Sequence, residues 1–138
     1  MKKQTLIVAG LGLAVVLAAP RSNAQASYVQ GEIPFNFAVS GKVLPAGEYR
    51  MVSAPHQIKI EDSTGTAVAM VLANDAVARS AENNDRIVFH CYRDRCFLAE
   101  VWSGQQKGRQ VLPSRAEAEL AKEEQGKYFA VLGEKPRS

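Results

Sequence analysis

The chain has 138 residues, 46% hydrophobic and 22% charged, with two cysteines and a formal net charge of +3. That is one domain's worth of sequence, enough for a single hydrophobic core. Its basic excess sits in Lys2, Lys3 and Arg21; without these three of 17, the rest carries 14 basic and 14 acidic side chains. With no net charge left to displace counterions from phosphates, a nucleic-acid binder is excluded.

The first 26 residues have the three zones of an export signal. Lys2 and Lys3 open it, and Leu6 to Ala19 are wholly apolar or glycine. Pro20 breaks the run, and Ala24-Gln25-Ala26 offers the small-x-small pattern that a signal peptidase accepts. A crossing helix needs about 20 apolar residues, more than this run supplies. The expectation is cleavage after Ala26, no membrane span afterwards, and a periplasmic or secreted protein. Residues 27–132 then form one β-rich domain and 133–138 a frayed tail.

Within that domain, Ile33 to Val39 alternates, with Ile33, Phe35, Phe37 and Val39 on one face, as in a half-buried strand. Ser40-Gly41-Lys42 and Pro45-Ala46-Gly47 are turns, and Glu48 to Val52 alternates again. Gln57 to Glu61 is a short strand with Ile58 and Ile60 inward. Asp62-Ser63-Thr64-Gly65 is a turn by composition, and Thr66 to Ala73 the next strand. In the ambiguous stretch 74–86, residues 76–81 are compatible with one helical turn.

Ile87 to Tyr92 and Arg95 to Trp102 read as a hairpin turning at Arg93-Asp94. Pairing Tyr92 with Arg95 sets Cys91 opposite Cys96, close enough for a disulfide in an oxidising compartment. Strict alternation then puts Ile87, Phe89, Cys91, Cys96, Leu98 and Trp102 on a core face interrupted by Glu100. Val88, His90, Tyr92, Arg95, Phe97, Ala99 and Val101 share the other, mixed face.

After an extended Arg109 to Leu112 the period changes. Ser114-Arg115-Ala116-Glu117 fits a capping box, in which the serine caps the helix and Glu117 reaches back. The predicted helix covers about 114–125, with Gly126 as its stop. Its apolar stripe, Leu112, Ala116, Leu120 and Ala121, is thin. Tyr128 to Leu132 is a final strand. Short strands with frequent turns indicate a mainly all-β fold, a small β-sandwich or partly open barrel with one short C-terminal helix.

Catalytic patterns are missing from residues 27–138: no G-x-S-x-G elbow, phosphate-binding glycine loop or H-E-x-x-H pair occurs. His90 alternates away from Cys91, and a disulfide consumes both thiols, so neither metal nor cofactor is expected. His56 follows Pro55 in a turn. What remains as a candidate binding face is the hairpin's mixed side, with His90, Tyr92, Arg95 and Phe97 together and Arg93 on the turn; the alternative, which weighs more, is a second buried or partly covered face of the sheet. Aromatic rings beside arginine suit protein interfaces and sugar-binding surfaces.

Two stretches carry a resemblance. Pro34-Phe35-x-Phe37-x-Val39-x-Gly41-Lys42-x-Leu44-Pro45-Ala46-Gly47-x-Tyr49 and Phe89-His90-x-Tyr92-x-Asp94-Arg95-x-Phe97-Leu98-x-Glu100-Val101-Trp102 resemble motifs of small exported bacterial proteins of unknown function. Cys91 and Cys96 depart from that pattern, so the resemblance makes the disulfide particular to this chain. It implies an exported domain and no activity.

The leading expectation is a non-enzymatic binding or structural module of the cell envelope or secretome, with an envelope protein or surface polymer as partner. The alternatives are a small hydrolase or isomerase using His90 or His56, and a ligand-carrying β-barrel with a cavity of a few hundred Å³.

Overall fold

The computed structural model describes residues 28–77, 84–103 and 107–134. The export segment 1–26, most of the expected helical turn and the end of the tail lie outside them. Ten strands and one helix occur among the described residues: β1 (Tyr28–Ile33), β2 (Phe37–Val39), β3 (Lys42–Leu44), β4 (Gly47–Ala54), β5 (Gln57–Asp62), β6 (Ala67–Val77), β7 (Asp85–Tyr92), β8 (Arg95–Ser103), β9 (Lys107–Val111), α1 (Arg115–Glu123) and β10 (Lys127–Leu132).

Local chemistry explains most boundaries. Pro34 has no N–H to give a ladder, so the expected single strand 33–39 is split into β1 and β2. The inward set survives the split: Ile33, Phe37 and Val39 are buried, and Phe35 packs on them part-buried. Ser40 and Gly41 both have positive φ (53° and 78°), as a two-residue type I′ hairpin requires, and Val39 pairs with Lys42 across it. Between β4 and β5, Pro55 precedes His56 at φ 61°, the proline-then-left-handed order of a type II turn. Asp62 holds the next turn, its Oδ1 accepting from the Thr64 hydroxyl and from the amides of Thr64 and Thr66. Those bonds, the Thr64 hydroxyl first, lower its carboxyl pKa.

The strands run β1-β4-β5-β6-β9-β8-β2-β3, with β7 on the other edge of β8 and β10 outside β7. The sheet does not close, although the Glu134 amide donates to the Gln30 carbonyl at 2.7 Å between its ends. This is a mainly-β fold with one short helix. β6 pairs with β5 through Ala67–Leu72 and with β9 through Ala73–Val77. Ala76 and Val77 are therefore strand, because pairing with Gly108 and Lys107 overrides the local helical preference of alanine.

One edge of β8 serves two partners. Ala38 of β2 lies opposite Phe97, and β9 pairs with Glu100 to Trp102. The opposite edge carries β7 in the expected register, with Tyr92 against Arg95 and Cys91 against Cys96. The disulfide is formed, with Cα atoms 4.0 Å apart. It closes so short a loop that reducing it is expected to cost only about 2 kcal/mol. Urea unfolding with and without reductant measures that cost, and alkylation without reductant should find no free thiol.

The strict alternation read along β8 is corrected by a β-bulge. Phe89 pairs with Leu98, but Val88 pairs with Glu100, leaving Ala99 without a partner. Beyond Ala99 the parity inverts. Val101, not Trp102, joins Ile87, Phe89 and Leu98 in the core, and Glu100 leaves it. Trp102 turns to the other face, where its Nε1–H donates to Glu100 at 2.7 Å and the Arg86 guanidinium stacks 5.0 Å from its ring. Gly108 makes room there, since a Cβ at that position would lie 2.5 Å from the indole.

A chain of edge-to-face aromatic rings leads from the half-exposed Phe129 into the core. Phe129, Phe35, Phe89, Phe37 and Tyr49 follow one another at centroid spacings of 5.2, 5.0, 5.3 and 5.2 Å. Ile33, Met51, Ile58, Ile60 and Ile87 complete the core, each fully buried.

Candidate functional site

Ser114 caps α1 as its sequence indicates: its Oγ accepts from the Glu117 amide at 3.1 Å. The second half of the expected capping box is replaced. The Glu117 carboxylate turns away from the cap toward the β7–β8 hairpin. Its Oε2 accepts from the Tyr92 hydroxyl at 2.9 Å and lies 3.1 Å from His90 Nδ1. Glu117 is 5% exposed and is the buried charged residue among the described ones. A second link joins Arg93 Nε to Glu124 at 2.8 Å.

The helix is thus held by polar contacts. Of its expected stripe, Leu112, Ala116 and Ala121 are exposed and Leu120 is half-buried. The helix ends at Glu123 with Glu124 as its C-cap, earlier than expected, and Gly126 serves a different purpose. A Cβ at Gly126 would sit 2.6 Å from the Tyr92 ring, so glycine lets the chain pass over that ring.

Burial, followed by the hydrogen bond and charge of Glu117, pushes the Tyr92 hydroxyl up to about 12 from its ordinary 10.0. Tyr49 is raised too, by burial and then by Asp62. Unfolding restores the ordinary value, so between pH 10 and 12 the unfolded chain ionises first and stability falls as pH rises. For Tyr92 the loss approaches about 2 to 3 kcal/mol. Urea titrations at pH 8 and pH 11.5 should show it, and Tyr92→Phe should flatten that limb.

The hairpin face is mostly covered. Tyr92 and Phe97 are 6% and 5% exposed, packed edge to face 5.9 Å apart. The His90 ring lies 4.3 Å from Tyr128 of β10, and its Nε2 is buried without a hydrogen-bond partner among the described residues. Arg93 is tied to Glu124, and Arg95 stands exposed with its guanidinium 5.4 Å from the Phe97 ring. His56 is exposed on its turn. Cys91 and Cys96 are joined, and no group of metal-ligating side chains occurs among the described residues.

Beside this face lies a cleft of about 530 Å³. The β2–β3 hairpin forms one wall, through Val39 to Val43. Val71 and Leu72 of β6, with Val111 and Leu112 at the end of β9, form the opposite one. Phe97 and Leu98 floor it, and the first turn of α1 closes one end. Comparison with family models, curated proteins and solved structures returns no match.

The cleft exists because β6 changes partner. Its outer edge from Ala67 onward has β9 only after Leu72, and β3 does not reach across to fill the gap. The Lys42 ammonium spans it instead, donating to the Val68 carbonyl at 3.1 Å. Val43, Leu72 and Leu112 stand at its mouth, 68%, 63% and 46% exposed. Sequence reasoning placed Arg95 and Phe97 in a binding face but missed the other walls. The available signal was weak: apolar residues at outward positions of three separate strands or strand ends.

Proposed function

We propose that this chain is exported by its first 26 residues and then acts as a non-enzymatic binding module of the cell envelope or secretome, using the cleft. The observation that carries this reading is an apolar hollow within the usual 300–1,000 Å³ range of small-ligand sites, roughly, at about 530 Å³. The disulfide supports an oxidising destination. No helix of the described residues is long and apolar enough to cross a membrane. The binding surface moves from the covered hairpin face to the adjoining cleft, keeping Arg95 and Phe97.

The His90–Glu117 contact is the starting point for the hydrolase alternative, since a carboxylate on one ring nitrogen can orient the other toward a nucleophile. Here that other nitrogen, Nε2, is enclosed and meets no hydroxyl among the described residues. The contact is better explained as what holds α1.

A photo-crosslinking side chain at Leu112, compared with one at Thr64 on the distant β5–β6 turn, tests the proposal in an exporting bacterium. Discrete adducts at Leu112 alone are expected. Identical adducts at both positions, or none at Leu112, would overturn it.

A further inference from the structure

The cleft's chemistry specifies more than an apolar ligand. Three cations border it, Lys42, Arg95 and Arg115, and all three are exposed. Arg95 and Arg115 have no carboxylate partner among the described residues. The single acid in the lining, Glu117, has its Oε2 occupied by Tyr92 and His90. The site is therefore an apolar trough whose lining sets three cations against one carboxylate, an excess of positive charge.

We infer that the cleft takes a single-chain amphiphile with a carboxylate head group, its chain over Leu98 and Phe97 and its head against Arg95 and Arg115. This rests on the cleft being the binding site, as proposed above. Guanidinium groups match a carboxylate in planar, paired hydrogen bonds, and both of these are free to make them. Lys42 adds charge from the facing wall while holding the Val68 carbonyl. A neutral chain would leave the rim unused, and a cationic one would meet like charge.

Calorimetric titration with octanoate, decanoate and dodecanoate, each below its micellar concentration, tests the inference. Affinity should rise about fourfold per added methylene while the trough still has room. Dodecyltrimethylammonium should bind at least tenfold more weakly than dodecanoate, roughly the loss of one charge-assisted bond. The Arg95→Gln/Arg115→Gln variant should lose that preference and keep the chain-length dependence. Ala116→Trp, at an exposed helix position lining the cleft, should block every chain while leaving the melting temperature unchanged.

Equal binding of the anionic and cationic chains, or indifference to Arg95→Gln/Arg115→Gln, would overturn the head-group assignment. Failure of all three carboxylates would overturn the ligand class. In either case adducts at Leu112 in the exporting cell would still stand for the binding-module reading, so the two can fail separately.

Discussion

Replacing Glu117 by alanine is expected to destabilise the protein by about 3 kcal/mol, far more than a solvent-facing helix position would. The substitution strips the acceptor from the buried Tyr92 hydroxyl and the partner from the part-buried His90 Nδ1. Two polar groups, one buried and one part-buried, are left where one carboxylate had served both. Glu117→Gln keeps an oxygen for Tyr92 and is expected to lose about 1 kcal/mol. Tyr92→Phe removes only the donor, and with Glu117→Ala it should cost less than the sum of the two alone, because they share one bond. Urea midpoints for the four variants and the unsubstituted protein give the comparison. If Glu117→Ala shifts the midpoint no more than Glu119→Ala, on the exposed face of the same helix, the polar attachment of α1 is refuted.

Phe89→Ala should be the most damaging substitution in the core, costing about 4 kcal/mol. Its side chain is fully buried at the centre of the aromatic chain, edge to face with both Phe35 and Phe37. Its backbone pairs with Leu98 immediately before the bulge and with Phe129 of β10 on the other side. Neighbouring strands hold the site open, so little of the lost volume can be recovered by collapse. A loss of that size is a large part of a domain's whole stability, roughly 5–15 kcal/mol. Phe89→Leu, expected to lose about 1.5 kcal/mol, keeps the measurement within range. Phe129→Ala provides the contrast: its ring also meets Phe35, but it is 48% exposed and should cost only about 1 kcal/mol. Chemical denaturation of the three variants checks the ranking, and equal losses for Phe89→Ala and Phe129→Ala would contradict it.

The sequence was most legible where adjacent residues determine structure. Arg93-Asp94 between two β-rich runs was enough to register the hairpin and set Cys91 against Cys96, because pairing propagates two residues at a time from a turn. It stopped being legible at Ala99, which carries no glycine or other mark of a bulge. Every position read beyond it, Glu100 to Trp102, therefore fell on the wrong face. Ser114-x-x-Glu117 announced the helix start correctly, since capping is local. The destination of the Glu117 carboxylate depended on a hairpin 25 to 27 residues earlier in the chain. The cleft was the least visible feature. It arises from where β6 exchanges β5-side pairing for β9, and from how short β3 is, and neither is encoded in the lining residues themselves.

The way α1 is attached also sets how it comes loose. Hydrogen bonds and ion pairs hold it while little apolar surface is covered, so its detachment exposes little new surface to solvent. Opening that exposes little surface has a small denaturant slope and a small heat-capacity change. Amide exchange in Arg115–Glu123 should therefore be nearly indifferent to dilute urea, whereas exchange from the Phe89 layer should accelerate with it. The molecule then has two kinds of mechanical joint. One is a greasy core that yields to denaturant, and the other is a polar clasp that yields to salt and to ionisation of the Tyr92 hydroxyl.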